Sequence, residues 1–155
     1  MQFMVPAMWA ALMSVPGFDD VDLSSLDLAV SGGAPCPLPV IAFYQGKGLP
    51  FQEGFGMTET SPVVSILDAD HVKEKPGSIG RAVFHVRARI VDDADREAAV
   101  DEVGELVLRG PNVFAGYWGL PEATAEAFRG GWFHTGDLGR MDAEGFITWS
   151  IARRT

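Results

Sequence analysis

A single cysteine, Cys36, stands in this chain of 155 residues, so neither a disulfide framework nor a cysteine-based metal site can form within it. That usage suits a reducing compartment, and a cytoplasmic location is expected. Basic residues are also scarce. Twelve Lys and Arg against 21 Asp and Glu give a formal net charge of −9, and no run of Lys or Arg exceeds a pair. Nucleic acid and anionic membrane surfaces are therefore poor partners. A phosphate-bearing ligand would have to be met by backbone N–H groups, hydroxyls and a metal ion, unless basic groups come from elsewhere. Long apolar runs are missing too. Residues 3–15 fall short of the ~20 needed to cross a bilayer, are interrupted by Pro6, and lack the basic flank of a signal peptide. They read as a core segment, and no transmembrane segment is expected.

Glycine and proline, in contrast, are plentiful at 18 and 10, which points to a loop-rich chain instead of a helical bundle. The first half alternates between two periodicities. Residues 3–5 read as a strand, and Pro6 suits the first position of an apolar helix over 7–14, closed by Pro16-Gly17. Residues 26–30 form a second strand, followed by the turn Ser31-Gly32-Gly33-Ala34-Pro35. A helix over 38–45 follows, then a third strand at 49–51 that runs into a loop from Gly54 to Glu59. Such alternation predicts a parallel α/β layer over residues 1–72.

The texture changes at the polar stretch 71–76. Strand-like runs follow at 86–91, 104–109, 139–141 and 146–149, with one short helix at 121–128. Residues 76–150 are therefore expected to form a small antiparallel, barrel-like β unit, and the fold class is α/β plus β. Trp118, Trp132 and Phe133 are assigned to its core.

Two constellations carry chemistry. In Gly54-Phe55-Gly56-Met57-Thr58-Glu59 the glycines allow close backbone approach, and Phe55 offers a stacking face. Thr58 offers a hydroxyl and an N–H to phosphate, and Glu59 offers oxygen ligands to Mg²⁺. Loops beyond the carboxyl ends of parallel strands are where open α/β sheets bind ligands; the bland alternative is a simple glycine turn. In Thr135-Gly136-Asp137 the carboxylate suits a ribose diol, although an ordinary turn explains it equally well. His134 reads as structural, and the isolated His71 and His85 are assigned no metal. Asp19-Asp20-Asp22 lacks the later positions of a calcium loop.

Taken in order, these segments resemble the adenylate-forming (AMP-binding) ligases of the acyl-CoA synthetase type. The resemblance rests on Ser31-Gly32-Gly33-Ala34-Pro35, the run from Phe51 to Thr60, and Gly77-Ser78-Ile79-Gly80-Arg81. It continues with Gly104-Glu105-Leu106-Val107-Leu108-Arg109-Gly110, running on through Gly116-Tyr117-Trp118, and ends with Trp132-Phe133-His134-Thr135-Gly136-Asp137-Leu138. It implies that Gly33, Ala34 and Pro35 line adenine and that Phe55, where a Tyr is usual, stacks on it beside Gly54 and Gly56. Gly56 and its neighbours would also border the acyl pocket. Thr58 and Glu59 would be the catalytic pair, one on the α-phosphate and the other on Mg²⁺, and Asp137 would bond the ribose. The implied reaction joins a carboxylic acid to AMP from ATP, releases pyrophosphate, and passes the acyl group to coenzyme A.

The family's lysine-bearing phosphate loop and its small C-terminal domain, which carries a second lysine, find no counterpart in these 155 residues. A fatty-acid–CoA ligase fragment without turnover of its own is the resulting expectation. A residual AMP- or acyl-binding fragment and an inert, self-associating product are the rivals, and amino or aryl acids are alternative substrates. The tail sharpens this expectation. Where the family continues Val-Val-Asp-Arg-Lys-Lys-Asp-Met, residues 149–155 read Trp-Ser-Ile-Ala-Arg-Arg-Thr. Deleting one base from plausible codons for the former yields the latter followed by TG, which a next A completes as a stop, so a frameshift in a longer gene is expected.

Overall fold

The computed structural model describes residues 1–149; the tail expectation beyond Trp149 lies outside the described residues. Strand β1 (Gln2–Met4) leads into helix α1 (Pro6–Met13), where Pro6 occupies the first turn and costs no hydrogen bond. Strand β2 (Ala29–Gly32), helix α2 (Leu38–Gly46) and strand β3 (Phe51–Gly56) follow, with β1, β2 and β3 mutually parallel. Helix α2 ends in a Schellman closure: Gly48 N–H donates to Gln45 O at 3.0 Å and Leu49 N–H to Tyr44 O at 3.1 Å.

From β3 onward every pairing is antiparallel. Strands β4 (Val63–Leu67), β5 (Ser78–Ala82), β6 (Arg87–Val91), β7 (Gly104–Arg109), β8 (Phe133–Met141) and β9 (Ile147–Trp149) complete the set, and helix α3 (Pro121–Ala127) lies between β7 and β8. The nine strands form one sheet in the order β1-β2-β3-β4-β5-β9-β8-β7-β6. The α/β layer and the antiparallel unit are thus as expected, but the sheet is open, with β1 and β6 as its edges, and does not close on itself.

Four local expectations change. Gly54, Phe55 and Gly56 belong to β3 and not to a loop, because the chain keeps its ladder with β4 up to a bulge between Phe55 and Gly56. Gly56 has no alternative residue, since a Cβ there would sit 1.5 Å from Pro62 O. Strands β4 and β5 were not expected, although Val63–Leu67 is an apolar, β-branched run. Strand β8 begins at Phe133, so Thr135-Gly136-Asp137 lies inside a strand. Trp118 is fully exposed at 100% and packs no core, while Trp132 is half-buried beneath the Arg89 guanidinium at 3.9 Å.

Two apolar clusters lie against the sheet and interleave along the chain. The first gathers Trp9, Ile41, Tyr44, Phe51, Leu67 and Val72 with the distant Phe146. Its aromatic centre is edge-on, with the Trp9 and Tyr44 rings 4.8 Å apart, and Tyr44 OH donates to Trp9 O at 2.8 Å. The second gathers Ile79, Ile90, Leu106, Leu108, Phe133 and Ile147 with Val64 from the first half. Among the described residues no helix is long and apolar enough to cross a membrane.

Candidate functional site

At the end of the parallel strands the backbone leaves a cleft of about 340 Å³. Gly33, Ala34, Pro35, Gly54, Phe55 and Gly56, all singled out from sequence, line it together. Gly77, Ser78 and Ile79 of the β5 entry, Glu53 and Trp149 complete the wall. Glu53, Gly77, Ser78 and Ile79 stood in quoted motifs without a role, and Trp149 stood only at the end of an expected strand and in the divergent tail.

The turn at 33–36 is fixed from below. Gly33 takes φ 86°, a left-handed conformation open to glycine. Cys36 N–H then donates to Glu53 Oε1 at 2.7 Å, pinning the turn to β3. Glu53 is 8% exposed, and burial pushes its carboxyl above the ordinary range although the Cys36 amide pulls it down. Burial likewise pushes up the Cys36 thiol, which argues against a reactive thiolate. Phe55 stands at the mouth with its ring edge to face with Trp149, centroids 5.0 Å apart at 86°.

Thr58 and Glu59 do not line this cleft. They form the short turn that follows β3, Thr58–Thr60, in which Thr58 is exposed. The turn is held by Thr60, a residue given no role from sequence. Its hydroxyl accepts Met57 N–H at 3.1 Å and lies 3.0 Å from both Met57 O and Pro62 O. Tyr117 OH donates to the Glu59 carboxylate at 3.3 Å. Burial, then the Glu59 charge, raises the Tyr117 phenol above its usual value. Among the described residues no group of three or more potential ligands could hold a metal unaided. A lone, partly solvated carboxylate nevertheless fits Mg²⁺, which keeps several waters and takes one or two carboxylates plus substrate phosphates.

Asp137 is also outside the cleft wall, two residues along β8 from Gly139, whose partner across the ladder is Trp149 of the cleft. Gly136, at φ 77°, makes the local irregularity that presents it. Thr135 Oγ1 donates to Leu106 O at 2.8 Å and accepts Asp137 N–H at 3.1 Å. Beneath this stretch of β8 lies Glu105, 4% exposed. It accepts Gly136 N–H on one oxygen at 3.0 Å, and on the other His134 Nδ1–H and Arg129 Nη2–H, each at 3.0 Å. Arg129 continues to Asp95 at 3.1 Å. Burial and then the nearby Glu105 charge raise the Asp137 carboxyl. His134 is structural in this network, as its sequence context suggested, and the supporting role of Glu105 was not foreseen.

A family model for the AMP-binding enzyme matches residues 1–118. A feruloyl-CoA synthase of an Amycolatopsis species is 45% identical over 145 residues, covering 94% of this chain and 30% of its own length. A long-chain-fatty-acid–CoA ligase of Salmonella typhimurium is 41% identical over 144 residues, covering 92% of this chain and 26% of its own. Among solved structures, the o-succinylbenzoate coenzyme A synthetase of Bacillus subtilis in complex with ATP and magnesium ion superposes with a TM-score of 0.86 at 33% identity, over 95% of this chain and 30% of that one. The chain thus spans about 30% of the length of the first of the curated relatives it matches.

Proposed function

The chain belongs to the AMP-binding enzyme family, and on that footing we propose that it carries the adenosine-binding half of an acyl-adenylate site from a CoA ligase. The observation that supports this most is the convergence of Gly33–Pro35, Gly54–Gly56 and Trp149 on one cleft with an aromatic face at its mouth. Adenine lies between the 33–35 backbone and Phe55, and Asp137 accepts from the ribose diol. Strand β3 then leads out of the cleft to the turn at Thr58–Thr60, so the α-phosphate follows the strand to the Thr58 hydroxyl and N–H.

Glu59 would hold Mg²⁺, which would supply neutralisation of phosphate charge. The chain's own residues orient: Thr60 fixes the turn, Tyr117 aims the Glu59 carboxylate, and the Glu105 network holds Asp137. In the whole ligase the acid attacks the α-phosphorus in line, pyrophosphate departs, and the thiol of coenzyme A then displaces AMP from the acyl carbon. The acid is a fatty or similarly apolar one. An aryl acid is the second reading, favoured by the 45% identity to a feruloyl-CoA synthase against 41% to the fatty-acid ligase.

This piece binds but does not turn over, because no lysine-bearing phosphate loop occurs in the 155 residues. Removing one such preorganised group typically costs ~10²–10³ in rate. Calorimetric titration with a non-hydrolysable acyl-AMP analogue tests the site. Binding should weaken about 5- to 150-fold in Phe55→Ala, the worth of one base–aromatic stack. No binding by the unaltered chain, or equal binding by the variant, would remove the reading. ATP–pyrophosphate exchange with a panel of acids tests the second point: robust exchange by the chain alone would refute the half-site. Self-association is part of the same proposal, through Phe3 and Met8, 56% and 53% exposed on the β1–α1 edge. Sedimentation that shows only monomer at micromolar concentration would dismiss it.

A further inference from the structure

With a net charge of −9 the chain has acidic groups to spare, yet three basic residues line one concavity. Arg87 opens β6, Arg109 closes β7, and the register sets them directly opposite each other. Like charges facing across an antiparallel pair are destabilising. Among the described residues Lys75 at 2.7 Å, Arg96 at 2.7 Å, Arg129 at 3.0 Å and Arg89 at 3.9 Å find carboxylates, whereas Lys47, Lys73, Arg81 and Arg140 do not. Arg87 and Arg109 make no ion pair among the described residues.

His85 joins them from the turn before β6, in a left-handed backbone conformation at φ 66°. A non-glycine residue held there costs about 1–2 kcal/mol, the kind of local strain that clusters at binding sites. His85, Arg87, Arg109 and Gly110 line an open concavity of about 340 Å³. Gly110 keeps its floor low, because a Cβ there would meet Asn112 Oδ1 at 2.7 Å and His85 O at 3.1 Å.

The concavity shares no lining residue with the Phe55 cleft, but it is tied to the turn beside that cleft. Asn112 Nδ2 donates to Thr60 O at 2.8 Å and Val63 O at 3.1 Å, and Phe114 N–H donates to Glu59 O at 2.8 Å. The cluster was not legible in the sequence, because Arg109 joins His85 and Arg87 only through the β6–β7 register.

We propose that His85, Arg87 and Arg109 form a second anion site, built for a dianionic phosphate group. Each guanidinium presents a planar fork that matches two phosphate oxygens, and a doubly charged anion between them turns the repulsion across β6–β7 into attraction. A single carboxylate would leave a positive charge uncompensated. The group can come from free inorganic phosphate or from the 3′-phosphate monoester of coenzyme A, and the two sources share this chemistry. The site does not depend on the adenylate reading of the Phe55 cleft.

The test uses the 155-residue chain with its arginine Nε–H signals resolved by NMR. Inorganic phosphate, coenzyme A and dephospho-coenzyme A are titrated separately at low salt. Saturable shifts of Arg87 and Arg109 are expected, and they should weaken about tenfold or more in Arg87→Gln/Arg109→Gln. Thermal stability of that variant should be unchanged or raised, since it loses a repulsion; a purely structural pair would lower it. Coenzyme A binding about tenfold tighter than its dephospho form assigns the site to the 3′-phosphate. Equal binding of those two, with saturation by phosphate, assigns it to the free anion. Phe55→Ala should leave every one of these titrations intact, which separates this site from the cleft. The proposal is wrong if neither arginine shifts saturably with any of the three, or if the double variant binds as well as the unaltered chain.

Discussion

Replacing Glu105 by Ala should cost far more than its position on an unremarkable strand suggests. Three donors converge on its carboxylate, from His134, Arg129 and the Gly136 backbone, each at 3.0 Å. Arg129 is 40% exposed and re-solvates when released, so its share is small. His134 stays buried and loses its acceptor, at about 1–3 kcal/mol, whereas Gly136 is exposed and its N–H can turn to water at small cost. With the lost charge pairing the total is about 2–4 kcal/mol, at the lower end of the usual cost of breaking a buried charged pair. At roughly 2–4 °C per kcal/mol for a chain of this size, Tm should fall by about 4–16 °C in a calorimetric scan.

Glu105→Gln should lose less, because its remaining carbonyl oxygen still accepts one of these hydrogen bonds. The pH dependence adds a sign. Burial pushes the Glu105 carboxyl up, but the hydrogen bonds from His134 and Gly136 and the charges of His134 and Arg129 bring it below its ordinary 4.5. A depressed acid stabilises the fold above the unfolded value and loses that contribution as pH falls through the folded one. The Tm gap between the unaltered chain and Glu105→Gln should therefore be flat near neutrality and close under acid conditions. A loss below about 1 kcal/mol in Glu105→Ala would refute the argument from the orphaned donor.

Glu53 carries the opposite sign. Its folded carboxyl is raised by burial, so its ionisation weakens the fold as pH rises through the unfolded and then the folded value. Glu53→Gln keeps an acceptor for Cys36 N–H and should gain in Tm relative to the unaltered chain as pH rises from 4 to 7; a gap that shrinks over that window would count against this. Gly56→Ala forces a Cβ to 1.5 Å from Pro62 O, so the β3–β4 bulge must open. Loss of nucleotide-analogue binding together with a Tm drop of several degrees is expected, and a wild-type melting curve would disprove the close approach.

Much of the scaffold was legible because its signals are local. Pro6 at a helix start, the apolar run into Lys47-Gly48, and the strand Gly104–Arg109 each need only their own neighbours. Strand β5 escaped because Ser78–Ala82 mixes polar and small residues, and a ladder partner on each side makes it a strand; strand β4, Val-Val-Ser-Ile-Leu, carried an apolar β-branched signal that was passed over. Gly54–Gly56 and Thr135–Asp137 looked like turns for a sound reason, since glycines at such spacing usually turn. Here they let strands pass close to other backbone or bulge within the ladder. The expected nucleotide residues that line the cleft were singled out through a family resemblance. Glu53, Glu105 and Thr60 stood in the same quoted segments without a role, because their roles depend on which strand lies beneath which segment.

The position of β9 carries a consequence for how the chain is made. It is the final described strand in sequence, yet it sits between β5 and β8 in the middle of the sheet. Ser78 Oγ donates to Ile147 O across a separation of 69 residues. Emerging from the ribosome, β1 to β5 can pair as soon as residue 82 is free, and β6 to β8 can pair among themselves later. Until Ile147–Trp149 appears, β5 and β8 each present an unpaired edge, a template for any neighbouring nascent chain. The final few residues to join the ladder thus decide whether two half-sheets become one molecule or find other partners first.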